Sequence, residues 1–323
     1  MAIPVISKKK QNWIKFITNF IPIKSHRMAL RGILTLGIKN YKNILRKDSV
    51  HKFPYTLSIT AIMKNEGAYL KEWLDFHILV GVEKFYLYDN GSTDNTMKIL
   101  KPYIDQGIVD YTYWPGKAQQ MIVYVDSINK HELETKWMAI IDLDEFLVAK
   151  DYFTIPEFLN TLPKNSAELV IGWEQYGSSG HIHKPDGLVI ENFKHHAAHS
   201  WGVKSIVNPR LVCEISNPHV HKMAGYMVDE NGKKLGRILQ TEKRNITTKK
   251  IRVNHYVTKS FDEYVARMNQ GSATNQKSTE YRSVEKFKWY DQNDVYDDIM
   301  DKYIARLKKQ KNLKEINNYR NKS

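Results

Sequence analysis

An apolar run that ends in acidic residues lies near the middle of the chain, where Trp137–Ile141 is followed by Asp142, Asp144 and Glu145. A short and almost wholly apolar run is typical of a buried strand in a parallel sheet. Ligands of open α/β sheets bind just beyond the carboxyl ends of the strands. Asp142 and Asp144 are two residues apart, so in extended chain their side chains point to the same side. Carboxylate oxygens suit Mg²⁺ or Mn²⁺, which commonly bridge to phosphate oxygens. The stretch therefore predicts a site for metal and diphosphate, although an isolated Asp-x-Asp also occurs in solvated acidic turns.

Strands and helices alternate through the residues that precede this stretch. Apolar runs predict strands at 56–63, 84–88, 108–114 and 137–141, and apolar residues at helical spacing predict helices at 70–78, from 95 and at 119–130. This order predicts an α/β fold with a Rossmann-like, mostly parallel, doubly wound sheet. The alternation is lost after Leu147. There, short strands are expected at 169–173, 205–212, 219–223 and 251–256, and helices at 261–268 and near the end of the chain.

The composition indicates a globular protein with a sizeable core. The chain has 323 residues, of which 42% are apolar. Its single cysteine, Cys213, excludes an intrachain disulfide and fits a reducing compartment. No apolar run approaches the ~18 residues of a membrane span. These features predict a cytoplasmic protein.

The net charge of +14 is concentrated at the two ends of the chain. Residues 1–52 hold 12 Lys and Arg against one acid, Asp48, and residues 301–323 hold 8 against two acids. A basic chain raises the possibility of a nucleic-acid-binding protein. However, the residues between the two ends are close to neutral and carry an acidic site, so we expect no nucleic-acid partner.

Residues 1–52 form a basic arm in which apolar residues such as Trp13, Phe16 and Phe20 lie among lysines. A helix with this pattern lies in the interface of an anionic membrane. The alternative is an arm that packs its apolar face on the rest of the protein. Pro22 and Gly32 interrupt a long helix, so the pattern leaves both alternatives open. The first would place the protein peripherally on the inner face of the plasma membrane.

Three stretches occur in the order and spacing found in glycosyltransferases of the GT-A fold. They are Ala61–Glu66, Tyr88–Asp94 and Asp142–Phe146. Later stretches, at 173–181, 204–209 and 254–260, resemble motifs of bacterial family-2-like enzymes related to glycosyltransferase family 92. The resemblance covers residues 55 to 272.

This resemblance implies an enzyme that moves a sugar from a nucleotide-sugar donor, usually a UDP-sugar, to a hydroxyl of a glycan or glycolipid acceptor. Such transfer would proceed with inversion and serve cell-surface polysaccharide synthesis. A Mn²⁺ or Mg²⁺ ion is implied on Asp142 and Asp144. The implied nucleotide-sugar-binding residues are Asn65, Glu66, Asp89, Asn90, Asp94, Asp142 and Lys204. Family-2 enzymes usually have two acids where this chain has Asp89-Asn90, so Asp89 is the expected contact to uracil or ribose, and the base specificity stays open.

The catalytic groups are less well defined by the sequence. The attacking hydroxyl needs a general base, which is usually a carboxylate. Glu174 is the first candidate because it ends a predicted strand beside a glycine-serine loop, and His181 is the alternative on the acceptor side. A solvated glutamate at a strand end is an equal alternative for Glu174, and a non-catalytic glycan-binding module is a competing function.

Histidines are candidates for the metal site. We predict that His255, in the late 254–260 motif, is a third metal ligand, with His221 as second choice. The cluster His195, His196 and His199 matches no zinc site without nearby cysteines, and is expected at the surface or in an acceptor groove.

The predicted organisation is an arm at 1–52, a GT-A domain at 53–275 and a basic helical extension at 276–323. The GT-A domain is expected to have a nucleotide-sugar half at 53–147 and an acceptor half at 148–275. The oligomeric state is not predicted.

Overall fold

A computed structural model describes residues 3–152, 154–236, 246–268 and 283–309. Its helices are α1 Lys8–Thr18, α2 Lys24–Leu36, α3 Ile38–Asp48, α4 Gly67–Leu79, α5 Thr96–Asp105, α6 Gln120–His131, α7 Ile155–Leu159, α8 Val189–Asn192, α9 Phe261–Met268 and α10 Val284–Tyr290. Residues 301–309 are also helical. The strands are β1 Tyr55–Met63, β2 Lys84–Asp89, β3 Val109–Tyr113, β4 Thr135–Ile140, β5 Glu145–Ala149, β6 Ser166–Gln175, β7 His195–His196, β8 Val203–Val207, β9 Val212–Glu214, β10 Lys222–Met223, β11 Tyr226–Val228, β12 Ile251–His255 and β13 Val295–Tyr296.

The main sheet has the strand order β3-β2-β1-β4-β8-β6-β12-β5, and β11 pairs with β6. Strands β3, β2, β1 and β4 are parallel. β8 is antiparallel to both β4 and β6, so β6 runs in the direction of β4. β12 is parallel to β6. The carboxyl ends of β1, β4, β6 and β12 therefore lie at the same edge of the sheet.

Apolar side chains cover both faces of this sheet, as a mostly parallel sheet requires. One face packs against α4, α5 and α7, where Trp73, Phe76 and Leu100 are fully buried. The other face packs against α6, whose Val123, Tyr124 and Ile128 lie in a second buried cluster. The predicted α/β fold with a doubly wound, mostly parallel sheet is confirmed.

The second half of the sheet differs in detail from the prediction. The run at 205–212 is not one strand, because Pro209 begins a 3₁₀ turn between β8 and β9. The run at 219–223 forms a strand only at Lys222–Met223. Strand β5 was not predicted at all, since it follows the acidic stretch directly. It lies at the far edge of the sheet, antiparallel to β12.

The arm contains three helices, and two of them pack on the rest of the protein. Leu36 of α2 and Ile44 of α3 lie in the cluster that covers the α6 face. At Gly32 of α2, an added Cβ would lie 1.7 Å from the carbonyl oxygen of Met223, so only glycine permits this close approach. The Asp48 carboxylate, at the end of α3, forms an ion pair with Arg210, whose Nε lies 2.8 Å from Oδ1, and accepts a hydrogen bond from Asn208. The packing alternative therefore applies to α2 and α3.

The carboxyl-terminal part also packs on the domain. Tyr303, Ile304 and Leu307 are buried against the α4 face. Arg252 of β12 forms an ion pair with Asp297. The predicted boundary at residue 275 lies outside the described residues. Among the helices that the structure describes, none has the length and apolarity needed to cross a membrane.

Candidate functional site

Acidic and basic side chains meet at the sheet edge where β1, β4, β6 and β12 end. Glu66 follows β1, Asp144 follows β4, and His255 is the last residue of β12. Arg267, on α9, lies between the acids, with Nη2 2.9 Å from Glu66 Oε1 and Nη1 3.5 Å from Asp144 Oδ2. All four residues are buried or nearly so. The predicted residues Glu66, Asp144 and His255 therefore form one group.

His255 lies beside Asp144 at the carboxyl end of β12. Its Nε2 lies 3.6 Å from Asp144 Oδ1, and its ring packs 4.4 Å from the ring of Trp173 on β6. Burial lowers the pKa of the His255 imidazole, against the opposing effect of Asp144, so the neutral form that binds metals is favoured. The buried Nδ1 atom has no hydrogen-bond partner.

These two residues fit a divalent cation with an incomplete protein shell. One carboxylate oxygen and one imidazole nitrogen are suitable ligands for Mn²⁺, and an ion between them would leave positions for phosphate oxygens and water. Within the described ranges, no group of three or more His, Cys, Asp and Glu side chains is arranged to hold a metal. The arrangement is therefore suited to an ion shared between protein and ligand rather than to a closed structural site.

Asp142 faces a different set of partners from Asp144. Lys204 Nζ donates to Asp142 Oδ2 at 2.7 Å, and Gln120 and Tyr124 of α6 donate to Oδ1 at 3.1 and 3.3 Å. Strand β4 ends at Ile140, and residues 143–144 form a turn. The extended chain on which the prediction for the two carboxylates rested is therefore absent, and the two have different partners. Asp142 remains one-third exposed, so a ligand can still reach it.

Lys204 lies behind Asp142, not at the surface of the site. Its side chain is fully buried and also lies 3.4 Å from Glu145 Oε2. Burial would lower the pKa of Lys204, but the carboxylates of Asp142 and Glu145 outweigh this effect and raise it, so the ammonium stays charged. Burial raises the pKa of Glu145. In this structure Lys204 holds Asp142, and its contact with a nucleotide sugar stays a prediction.

Asp89, at the end of β2, lies in a pocket of hydrogen bonds. Its Oδ1 accepts from the Ser92 N–H at 2.7 Å, and its Oδ2 accepts from the Tyr111 hydroxyl at 2.9 Å. Burial and the bond to Asp89 raise the pKa of Tyr111 to about 12. Asn90 donates from Nδ2 to the carbonyls of Trp114 and Gly116. Both residues hold the loops after β2 and β3, and their contact with a nucleotide stays a prediction.

Asn65 and Asp94 join the loop after β1 to the loop after β2. Asn65 has a φ of 55° and accepts from the Thr93 N–H. Asp94 accepts from Gly67 N–H through Oδ2 and from Thr96 through Oδ1. These hydrogen bonds keep the pKa of Asp94 low despite partial burial. In this structure both side chains support the loops, and their contact with a nucleotide sugar stays a prediction.

Glu174 and His181, the predicted acceptor-side residues, lie apart from the group around Asp144. Side chains alternate along β6, so Glu174 points to the opposite face from Trp173, which contacts His255. The Glu174 carboxylate accepts from Ser200 and Thr248 and lies 3.6 Å from His196 Nδ1. His181 is half-buried, and its carbonyl accepts from the Phe261 N–H at the start of α9. The identity of the base stays a prediction.

The other histidines take separate positions. His221 is buried, with Nδ1 2.9 Å from Glu168 Oε1, whereas its Nε2 has no hydrogen-bond partner. His199 is exposed and His195 is half-buried, as expected for surface or groove residues. His196 is not at the surface: it is buried between Glu174 and Asp297.

Sequence reasoning missed Arg267, and it placed Trp173 at the end of a predicted strand without giving it a role in the site. Arg267 is 123 residues from Asp144 in the chain, and nothing in the local pattern of α9 marks it. Trp173 packs on Gly202, where a Cβ would lie 1.6 Å from the ring. The Trp173 indole Nε1 is buried without a hydrogen-bond partner. A polar ligand group would satisfy it.

A groove of about 520 Å³ lies elsewhere, between α5 and β3, and is lined by residues that include Lys84, Lys101 and Asp105. It holds none of the carboxylates described above. We place the candidate site at the strand ends because the converging charged groups, not the volume, can perform chemistry.

Comparisons with known proteins identify the family of the chain. The sequence profile described as glycosyltransferase family 92 matches residues 54–310. A glycosyltransferase family 92 protein of Ricinus communis is 28% identical over 169 residues, which cover 49% of this chain and 30% of that protein. The galactan β-1,4-galactosyltransferase GALS3 of Arabidopsis thaliana is 29% identical over 107 residues, covering 30% of this chain and 21% of its own length. The crystal structure of S. aureus TarS residues 1–349 aligns with a TM-score of 0.34 and 13% identity over 48% of each chain.

The extent and source of these relatives limit what they imply. The chain spans about a third of the length of the Ricinus communis protein and less of GALS3. Both relatives are plant proteins. They support the family 92 part of the resemblance and give no support to its bacterial, family-2-like part.

Proposed function

Since the chain belongs to glycosyltransferase family 92, we propose that it moves a sugar from a UDP-sugar donor to a hydroxyl of a glycan or glycolipid acceptor, using a divalent metal ion. The observation that carries this proposal is the meeting of Glu66, Asp144 and His255 at the carboxyl ends of three strands. Open α/β sheets bind their ligands at this position. Inversion, a bacterial setting and a role in cell-surface polysaccharide synthesis remain parts of the proposal.

In the proposed reaction, the acceptor hydroxyl attacks the anomeric carbon of the donor sugar. The bond from this carbon to the phosphate oxygen breaks, and its electron pair leaves with the nucleoside diphosphate. A general base takes the hydroxyl proton. Asp144 and His255 would hold Mn²⁺ or Mg²⁺, which as a Lewis acid would stabilise the charge on the leaving diphosphate.

The surrounding residues would orient these groups. Arg267 fixes the Asp144 and Glu66 carboxylates, and the buried Lys204 fixes Asp142. The Trp173 ring packs against the His255 ring and would hold it in place. Asp142 is exposed enough to accept a hydrogen bond from the ribose, and Asp89 from the uracil or ribose. These are the contacts that we propose for the nucleotide.

A thermal-shift comparison tests the donor class. A ligand that binds only the native state raises its melting temperature in proportion to the logarithm of its concentration over Kd. We expect UDP with Mn²⁺ to raise the melting temperature, and UDP with EDTA, ADP with Mn²⁺ or GDP with Mn²⁺ to do so much less. Equal shifts from all three nucleotides would contradict the uridine assignment. The absence of any shift would overturn the donor class.

We also propose that α1 docks on an anionic membrane surface. Ile14 and Thr18 of this helix are buried, whereas Trp13, Phe16 and Phe20 are 56%, 65% and 78% exposed. Exposed lysines lie beside these rings, at Lys8, Lys9, Lys10 and Lys15. An exposed aromatic face with neighbouring lysines is suited to the headgroup region of anionic lipid.

A further inference from the structure

A buried amine without a hydrogen-bond partner lies beside the candidate site. Lys259 is 2% exposed, and its Nζ has no partner. It belongs to the short segment 256–260 that joins β12, which ends at His255, to α9, which carries Arg267. An ammonium group that is buried without hydrogen bonds is strongly unfavourable, and such groups are normally completed by a partner. Within the described residues, the fold therefore provides no hydrogen-bond acceptor for this amine.

The local fold holds this side chain in place. Lys259 has a φ of 51°, in the left-handed region that residues other than glycine rarely adopt. On one side, the Thr258 hydroxyl donates to the Tyr176 carbonyl at 3.1 Å. On the other, the Ser260 hydroxyl donates to Glu263 Oε2 at 2.6 Å. Such conformations persist where the surroundings fix them, and they are common at ligand-binding sites.

Three carboxylates near Lys259 favour its ammonium form, but they are already engaged by other groups. Burial and the Arg267 guanidinium lower the pKa of Lys259 to about 8, against the opposing carboxylates of Glu66, Asp144 and Glu263. At neutral pH the amine is therefore mostly protonated. Glu66 pairs with Arg267, and Glu263 accepts from Ser260 and from the Tyr69 hydroxyl. None of the three accepts a hydrogen bond from Lys259.

The aromatic ring of Tyr69 provides the remaining contact. Lys259 Nζ lies 4.3 Å from the centre of this ring, and Lys184 Nζ lies 4.8 Å from the same ring. Lys184 is exposed. A cation above an aromatic face is stabilised, but the ring accepts no conventional hydrogen bond. Lys259 thus retains its N–H donors for a ligand. Lys184 contacts the same ring but is open to water, so it provides a matched control.

We propose that Lys259 donates hydrogen bonds from Nζ to a phosphate oxygen of the nucleoside diphosphate, beside Asp144. This inference rests on the proposed function. A phosphate oxygen would supply the acceptor that the amine lacks, and charge-assisted bonds of this kind are among the strongest in proteins. When the bond from the anomeric carbon to phosphate breaks, the ammonium would stabilise the negative charge that develops on the diphosphate.

Calorimetric titration of UDP in the presence of Mn²⁺ tests this role. Lys259→Met keeps the length of the side chain and removes its charge, so UDP binding should weaken by about tenfold or more. Lys259→Arg should recover part of the affinity. Lys184→Met, the matched control, should bind UDP as the unaltered chain does. The melting temperature of ligand-free Lys259→Met should equal or exceed that of the unaltered chain, because an uncompensated buried charge is gone.

Three outcomes would overturn the inference. If Lys259→Met binds UDP within twofold of the unaltered chain, the amine does not contact the diphosphate. If Lys259→Met melts at a lower temperature and Lys259→Arg gives no recovery, the residue is structural. If the unaltered chain binds neither UDP nor pyrophosphate with Mn²⁺, the proposed function fails and this inference fails with it. That outcome is distinguishable from the first two, in which the unaltered chain still binds UDP.

Discussion

Asp142 and Asp144 are two residues apart in sequence but have different neighbours. The sequence predicts both as carboxylates at a strand end, and the structure places both there. Their different ion-pair partners were not predictable, because Lys204 and Arg267 reach them from distant parts of the chain. A local pattern can show which residue types could bind a metal. It cannot show which buried cation each carboxylate is paired with.

Gly202 provides a test of the support beneath His255. A Cβ at this position would lie 1.6 Å from Trp173 Cε3, so Gly202→Ala must displace the indole that packs against His255. We expect UDP affinity in Mn²⁺ to fall by about tenfold, measured by calorimetry, because misplaced ligands hold the ion poorly. Gly236→Ala is the control, since its Cβ would meet only the flexible Lys24 side chain. Unchanged UDP binding by folded Gly202→Ala would remove Trp173 from the site.

Strand β5 could not be predicted from the local sequence. The alternating first half of the sheet was predictable because each parallel strand and its helix are neighbours in sequence. β5 instead pairs with β12, more than a hundred residues later, so its position depends on tertiary contacts that no window of sequence contains. This crossing also places the Asp144 turn beside His255: the Tyr256 N–H donates to the Asp144 carbonyl at 2.8 Å.

A buried histidine links β5 to α4 and makes this interface sensitive to acid. His77 Nδ1 lies 2.8 Å from the Trp73 carbonyl, and Nε2 accepts from the Leu147 N–H at 3.3 Å, an arrangement that requires the neutral ring. Burial lowers the pKa of His77 to about 3. In the unfolded chain the pKa is about 6.5, so the unfolded state binds the extra proton between these values. Stability contributed by His77 is therefore present above pH about 6.5 and is lost as the pH falls toward 3.

Urea unfolding at pH 7.0 and pH 5.0 measures this effect. The free energy of unfolding should fall by about 1.4 kcal/mol per pH unit from this group alone, within that window. His77→Leu should be less stable than the unaltered chain at pH 7, because two buried hydrogen bonds are lost, but its stability should depend less on pH. If both proteins lose the same free energy between the two pH values, His77 is not the source of the acid sensitivity.

The basic arm, residues 1–52, has more than one structural role. The sequence left open whether the arm packs or faces a membrane, and the structure divides the arm between these alternatives. α2 and α3 contribute to the core, whereas α1 and the turn that follows it expose the aromatic rings of Trp13, Phe16 and Phe20. Deletion of the whole arm would therefore expose apolar core surface, and substitutions in α1 are the better test.

Liposome co-sedimentation of the full chain tests the α1 face. The unaltered chain should sediment with vesicles that contain anionic lipid and should be released at high salt, because screening weakens its lysine contacts. Replacing Trp13, Phe16 and Phe20 together with serine should reduce sedimentation severalfold. Leu133→Ser, which removes an equally exposed apolar residue elsewhere, should not. Equal sedimentation by both variants, or none by the unaltered chain at low salt, would contradict membrane docking.

Release of UDP from UDP-galactose, with and without a saccharide acceptor, is the most direct test of metal-dependent sugar transfer. UDP-galactose is the first donor to test because one relative is a galactosyltransferase. We expect turnover in Mn²⁺, none in EDTA, and a loss of roughly 100-fold or more in Asp144→Asn. Asp105→Asn, an exposed carboxylate on α5, should match the unaltered chain. Full turnover in EDTA, or by a folded Asp144→Asn variant, would contradict a metal held by Asp144.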